Sequence, residues 1–430
     1  MKFHILLKLR DAAAAVEAPA WTEVIEEKRQ TPTRINPAVD ALLERYGLPV
    51  FVTREYKPQH ERWSPEEIQS GLNRVYRLVM QRDTEIPREL IQEISLLPVV
   101  EYARVGRFGH TDLPPLQAAA MSTMTDRYSR KAVHLDEARE RSRGDESITV
   151  AVLDTGVCVK HPEFAGVMLP GYDFVDIIDG ASDFIGDYLG YDDIPDDEVG
   201  HGTHVAGIIA AKGRDCPEGI VPRCKLLPVR VLAAMERQGR RVGAGLIDNI
   251  NTAVKWAVDQ GADVINMSLG IRHSGGGLPH EEVVDYARRK GVTIVAAAGN
   301  DGQEQLYYPG ALPYVIAVGA FDESGEVADY STYGSQVSFI APGTNVYSTY
   351  LESEYAFSTG TSHAAPFVSG GVALLKSYAR SLGRRLTDAQ VKHVLKHTAD
   401  KVDANFKNRK AGFGKLNLAD ALRLVEYKLT

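Results

Sequence analysis

From about residue 147 the chain alternates short, almost uninterrupted apolar runs with segments of helical periodicity, and no other feature restricts its fold as much. The runs are "SITVAVLDTG", "CKLLPVRVL", "ADVINMSLG", "GVTIVAAAGN" and "YVIAVGA". Stretches rich in Val, Ile, Leu and Ala predict strands buried on both faces, and the helices between them predict parallel connections. The expected class is α/β, with a mostly parallel central sheet covered by helices on both faces. In such sheets reactive groups gather at the carboxyl ends of the strands. Three of the runs end there in polar or glycine-rich turns, "LDTG", "MSLG" and "AAGN".

The first hundred residues follow a different pattern. "KFHILLKLR", "LPVFVTREY", "NRVYRLVMQ" and "VVEYARV" predict strands, while "NPAVDALLERYG" and "PRELIQEISLLP" predict helices. The order β-α-β-β-α-β is the ferredoxin-like arrangement of a small α+β domain. Residues 106 to 125 lack periodicity and carry paired prolines and small residues, which marks a linker. The expected division is a ferredoxin-like domain at 1–112, a linker or processing region at 113–125, and the α/β domain at 126–430.

Composition narrows the partners. The 430 residues carry a formal net charge of -8, so no basic excess points to nucleic acid or to an anionic membrane. The apolar run at Ile5, Leu6 and Leu7 is too short for a signal-peptide core, and no stretch is long enough for a transmembrane helix. A cytoplasmic location is expected, with export left open. Three cysteines, Cys158, Cys216 and Cys224, read as three buried thiols of a reducing compartment, although Cys216 and Cys224 could pair in an exported chain.

Three positions suggest chemistry. Asp154 ends a buried apolar strand, where a lone carboxylate would be costly. His201 opens an apolar helix, as a cap, a core histidine or a base. Ser362, in "FSTGTSHAAP", starts another helix, where it is either an ordinary cap or a nucleophile beside the positive end of the helix dipole. Acid, imidazole and hydroxyl together are the types that serine activation needs. The base takes the hydroxyl proton and the acid fixes its tautomer.

The segments "VAVLDTGV", "HGTHVAG" and "GTSHAAP", in that order, resemble the subtilisin-like serine proteases. "DVINMSLG", "IVAAAGN", "YPGALPYVIAVGA" and "GFGKLNLADAL" agree, and the resemblance covers about residues 125 to 425. It implies that Asp154 orients His201, that His201 is general base and then general acid, and that Ser362 attacks the carbonyl. His204 is structural in the family. Asn300, otherwise read as a turn residue, corresponds to the oxyanion-hole asparagine, complementing the Ser362 backbone N–H. Ser268, Leu269 and Gly270, with Ala298 and Gly299, match the segments flanking the pocket for the residue before the scissile bond. Gly243 and Gly245 match the edge strand that pairs with an extended substrate.

The implied activity is endopeptidase action on extended or unfolded polypeptides through an acyl-enzyme. The N-terminal domain would then be an intramolecular inhibitor and chaperone, removed by self-cleavage between Gly106 and Leu116 or retained as a regulator. Competing readings are an idle scaffold, which would lack a triad member, and an esterase, against which the glycine edge argues. Tyr307, where many relatives have glycine, argues against a deep aromatic pocket, and Asp301 and Glu304 suggest a basic residue there. Residues 173 to 198 hold ten carboxylates and no Lys or Arg, which suits either Ca²⁺ or a solvated acidic loop. No cofactor is required for the chemistry.

Overall fold

A computed structural model describes residues 3–113, 117–118, 127–176, 184–185, 190–237, 240–272 and 278–429. The N-terminal strands are β1 (His4–Leu9), β2 (Val50–Arg54), β3 (Val75–Met80) and β4 (Val100–Val105). They pair antiparallel in the order β2-β3-β1-β4. Helices Pro37–Arg45 and Arg88–Ser95 cover one face, joined by short helices at Trp21–Glu27 and Pro65–Gln69 that the sequence pattern did not suggest. The sequence "HILLKL" in β1 does not alternate in polarity because both of its faces are buried. Ile5, Leu7 and Leu9 join the small domain's own core, while Leu6 joins a cluster with Ile250 and Val254 of the large domain.

Next come β5 (Phe108–Asp112), β6 (Gln117–Ala118), β7 (Thr149–Asp154), β8 (Tyr172–Asp173), β9 (Phe184–Ile185), β10 (Lys225–Arg230) and β11 (Ala233–Arg237). The remainder are β12 (Arg240–Leu246), β13 (Val264–Met267), β14 (Ile271–Arg272), β15 (Thr293–Ala297), β16 (Tyr307–Tyr308), β17 (Ile316–Phe321), β18 (Val337–Pro342), β19 (Val346–Thr349) and β20 (Tyr355–Ser358). The five predicted apolar runs become β7, β10, β13, β15 and β17, and with β8 and β18 at the edges they form a parallel seven-stranded sheet, β18-β17-β15-β13-β7-β10-β8. Helices His201–Ala210 and Thr361–Ser381 pack on one face and Ile247–Asp259 and Glu281–Arg289 on the other, in two separate apolar clusters. Parallel strands bring Asp154 of β7, Met267 of β13 and Ala297 of β15 to the same end of the sheet, so the turns that follow them meet there.

Cys216 and Cys224 are buried free thiols in different apolar clusters, whereas Cys158 is only half-buried, which corrects the expectation of three buried thiols. Among the described residues no helix is long and apolar enough to cross a membrane.

Candidate active site

Asp154 is fully buried at the end of β7. Its Oδ1 accepts the Thr155 N–H at 2.7 Å and lies 2.6 Å from Nδ1 of His201, also fully buried. Burial by itself would lower the imidazole pKa, but the charge of Asp154 and the hydrogen bond to it outweigh that cost and raise it. The other ring nitrogen, Nε2, has no protein partner. His204, one turn on, is held differently. Its Nε2 lies 3.1 Å from both Val346 O and Ala356 O, and burial drives its pKa down to about 3, so it remains neutral.

The start of the His201 helix is organised by Asp197, a residue that motif reading missed. Its Oδ1 accepts from Thr155 Oγ1 and the N–H groups of Val199 and Gly200, each at 2.9 Å. Oδ2 accepts from Thr203 N–H and Oγ1 at 2.8 and 2.7 Å. A carboxylate at a helix N-terminus satisfies the orphan donors there and complements the dipole. Gly202 fits because its backbone passes so close to Gly156 that a Cβ would come within 2.0 Å of that carbonyl oxygen.

Ser362 lies in the first turn of the Thr361–Ser381 helix, with its Oγ donating to Ser268 O at 3.1 Å. Pro366, four residues on, has no N–H to offer the Ser362 carbonyl, which would otherwise be left unpaired in the helix. Ser268 supplies the donor instead, Oγ to Ser362 O at 2.7 Å. Asn266 donates to Ser268 Oγ and accepts from Ser369 Oγ, completing a buried network that reaches back into β13. His363 packs 5.4 Å from the His201 ring and 4.5 Å from the His204 ring, which sets the serine and histidine helices side by side.

Asn300 follows β15. Its Oδ1 accepts from the Thr361 N–H at 2.8 Å and from Thr361 Oγ1 at 2.9 Å. A backbone N–H can only donate, so this fixes the amide orientation and leaves its NH₂ end available. A cavity beside it is lined by Gly270, Ala297, Gly299, Asn300, Thr361 and Ser362. Ser268, Leu269 and Ala298, expected at this pocket, are buried and do not line the cavity, whereas Ala297 does.

Gly243 and Gly245 lie on β12, which is not a free edge. β5 pairs with it antiparallel, Thr111 opposite Gly243 and Gly109 opposite Gly245. Residues Phe108 to Thr111 form one side of the cavity that contains Ser362. Beyond them Leu113 packs on Val199 and Ala234, and β6 pairs antiparallel with β20, just before the serine helix.

The acidic segment is partly spent inside the fold. Asp173 and Glu198 pair with Arg230 at 2.9 and 3.5 Å, and Asp192 and Asp176 accept from the N–H groups of Ile194 and Gly190. Among the described residues no group of three or more acidic, His or Cys side chains could hold a metal. Residues 177–183 and 186–189 lie outside them. The suggestion of a basic residue before the scissile bond needs correcting, since Asp301 already pairs with Arg272 and Glu304 with Arg409.

The family model for peptidase S8, the subtilase family, matches residues 145–414. This chain belongs to the subtilase family. It is a subtilisin-like serine protease. The thermophilic serine proteinase of Bacillus sp. strain AK1 is 34% identical over 335 residues, which are 77% of this chain and 75% of that protein. Thermitase from Thermoactinomyces vulgaris is 36% identical, covering 64% of this chain and 88% of its own length. The major intracellular serine protease of Bacillus subtilis strain 168 is 38% identical, over 61% of this chain and 78% of that one. Among solved structures, the prenylagaramide maturation protease PagA superposes with a TM-score of 0.56 at 31% identity, over 68% of this chain and 98% of the other.

Proposed function

We propose that this subtilase is an endopeptidase that hydrolyses extended or unfolded polypeptides through an acyl-enzyme on Ser362. His201 Nε2 takes the Ser362 proton as the hydroxyl oxygen attacks the carbonyl carbon, and returns it to the leaving amine. Asp154 holds the tautomer and stabilises the imidazolium. The Asn300 NH₂ and the Ser362 N–H bind the developing oxyanion. Water then repeats the sequence on the acyl-enzyme. The observation that carries the reading is the buried 2.6 Å Asp154–His201 contact, whose imidazole keeps Nε2 unpartnered. Ser362→Ala tests it. Casein hydrolysis should vanish with an unchanged melting curve, and undiminished hydrolysis would overturn the mechanism.

The substrate binds, on this reading, as a strand on β12, with main-chain hydrogen bonds that suit almost any unfolded peptide. Residues 1–112 act as an inhibitory domain whose own strand β5 occupies that edge, followed by self-cleavage between Gly106 and Leu116. Residues 114–116 of that stretch lie outside the described residues. A second reading, retention of the domain as a regulator, is favoured by buried ion pairs across the interface, Arg104–Asp248 at 2.7 Å and Lys255–Glu67 at 2.8 Å. Intact mass of wild type and Ser362→Ala separates the two. A shortened chain in wild type alone supports release, and 430 residues in both support retention.

A cytoplasmic location belongs to the same proposal, supported by three free thiols and by the likeness to a relative named as intracellular. The described carboxylates of the acidic segment do not form a cation cage, and Asp179, Asp183 and Asp187 lie outside the described residues.

A further inference from the structure

The cavity beside Ser362 and Asn300 is where the side chain preceding the scissile bond must enter, since the carbonyl under attack lies between those two residues. This inference therefore rests on the proposed peptidase chemistry. Its walls are the ends of β13 and β15, through Gly270, Ala297 and Gly299, and across the gap between them lies Tyr307. The Tyr307 backbone is pinned by the β14–β16 pairing, opposite Arg272. Its ring packs on both glycines. A Cβ on Gly299 would come within 2.6 Å of two ring carbons, and one on Gly270 would meet Tyr307 Cβ at 3.0 Å and ring carbons at 3.2 and 3.3 Å.

The ring is also locked from its outer end. Its hydroxyl donates to Asp301 Oδ2 at 2.7 Å and accepts from Arg272 Nε at 3.0 Å. Arg272 closes the triangle by pairing with Asp301, its guanidinium 5.5 Å over the Tyr307 ring. A side chain held by packing on two sides and by two hydrogen bonds at its tip has little freedom to swing out. The two charges at the rim neutralise each other.

We propose that Tyr307 is the specificity-determining residue of this protease. Its ring fills the depth between Gly270 and Gly299 and restricts cleavage to bonds that follow glycine, alanine or serine. The Arg272–Asp301 pair keeps the pocket rim without net charge, so neither acidic nor basic residues are selected there. One methylene of misfit in such a pocket changes kcat/KM by roughly 10-fold to 200-fold. An aromatic side chain, several carbons too long, is excluded more strongly still.

The test maps cleavage sites by mass spectrometry after reduced, alkylated casein is incubated with the full chain, with Tyr307→Gly, Tyr307→Phe and Ser362→Ala. Ser362-dependent cuts should fall after Gly, Ala and Ser in wild type and in Tyr307→Phe, which keeps the ring. In Tyr307→Gly they should shift to Phe, Tyr, Leu and Met, and the kcat/KM ratio of matched Phe and Ala peptides should rise at least about 10-fold. If the glycine variant does not fold, Tyr307→Ala takes its place. Wild-type cuts after large residues, or a profile unchanged by loss of the ring, overturn the assignment of Tyr307 and leave the peptidase reading standing. A complete absence of Ser362-dependent cuts overturns both.

Discussion

Two buried carboxylate–imidazole contacts, Asp154 with His201 and Asp248 with His4, lie in the same molecule with nearly the same geometry, 2.6 and 2.9 Å. Their surroundings differ. Asp248 stands in the first turn of the Ile247–Asp259 helix and receives two partners from the N-terminal domain, Arg104 on one oxygen and His4 on the other. Burial would raise its pKa, but Arg104, His4 and Arg77 together hold it well below the usual carboxylate range. The His4 ring is further clamped by Gly106, where a Cβ would come within 2.0 Å of it. By contrast, His201 has one carboxylate partner and an open Nε2. An imidazole enclosed between a carboxylate, an arginine and a tight backbone joins two domains. One tied at a single nitrogen can pass a proton at the other.

The largest expected effect tests the Asp154–His201 pair. Asp154→Asn should lower kcat/KM about 10⁴-fold, because the amide favours the wrong tautomer while the geometry survives. The pH profile gives a second readout. His201 must be neutral to accept a proton, and its pKa is raised, so kcat/KM should climb with pH through a midpoint above the ordinary imidazole value. Loss of the Asp154 charge should move that midpoint down. An unchanged midpoint would mean that Asp154 does not govern the base.

The next effect tests the fixed pair. Asp248→Ala would leave Arg104, 8% exposed, and His4, 3% exposed, buried without their carboxylate. Breaking a buried ion pair by removing one partner costs roughly 3–5 kcal/mol, read as a lower midpoint in urea. Its pH dependence has the same sense as that of activity, a loss on acidification, but lies in the carboxylate range below the His201 midpoint. A carboxylate with a depressed folded pKa contributes stability above its unfolded value, and the contribution is lost as pH falls through the folded one. Wild type should therefore lose stability on acidification in a way that Asp248→Ala does not. Parallel stability curves would remove Asp248 from the interface energetics.

Asn300→Ala comes third and separates donor from base. Loss of one oxyanion donor costs on the order of 100-fold to 1000-fold in kcat, with KM little changed, a magnitude that comes from subtilisin itself. A large rise in KM with unchanged kcat would make Asn300 a ground-state contact instead.

The two pairs were not equally legible in the sequence. Asp154, His201, Asn300 and Ser362 each sit in a short local motif at a strand end or helix start, where periodicity already places a turn. Asp248 and His4 are 244 positions apart, and nothing near either one announces the other. The supports of the site were also hidden, because Asp197, Thr361 and Asn266 act by satisfying backbone and amide groups that only folding brings close. Asp301 and Glu304 looked free for a basic substrate because their partners, Arg272 and Arg409, lie 29 and 105 positions away. Tyr307 was visible as bulk, but its contacts with Gly270 and Gly299 were not.

The smallest effect on stability comes from making the same substitution at both histidines. Glutamine is close to imidazole in reach and carries an amide N–H, so it can still donate to a carboxylate, but it neither titrates nor accepts a proton as a base. At His4 that is nearly sufficient. The amide N–H takes the place of Nε2 on Asp248, Arg104 still neutralises the carboxylate, and the loss should stay below about 1 kcal/mol in unfolding free energy, the net worth of one hydrogen bond. Activity per active site should not change. At His201 the carboxylate is held by Nδ1, short of where a glutamine amide reaches, and the substitution also removes the group that takes the Ser362 proton, so hydrolysis should fall as far as in an alanine variant. A His4→Gln variant that unfolds, or a His201→Gln variant that retains most of its rate, would show that surroundings do not divide the two imidazoles into fastener and base.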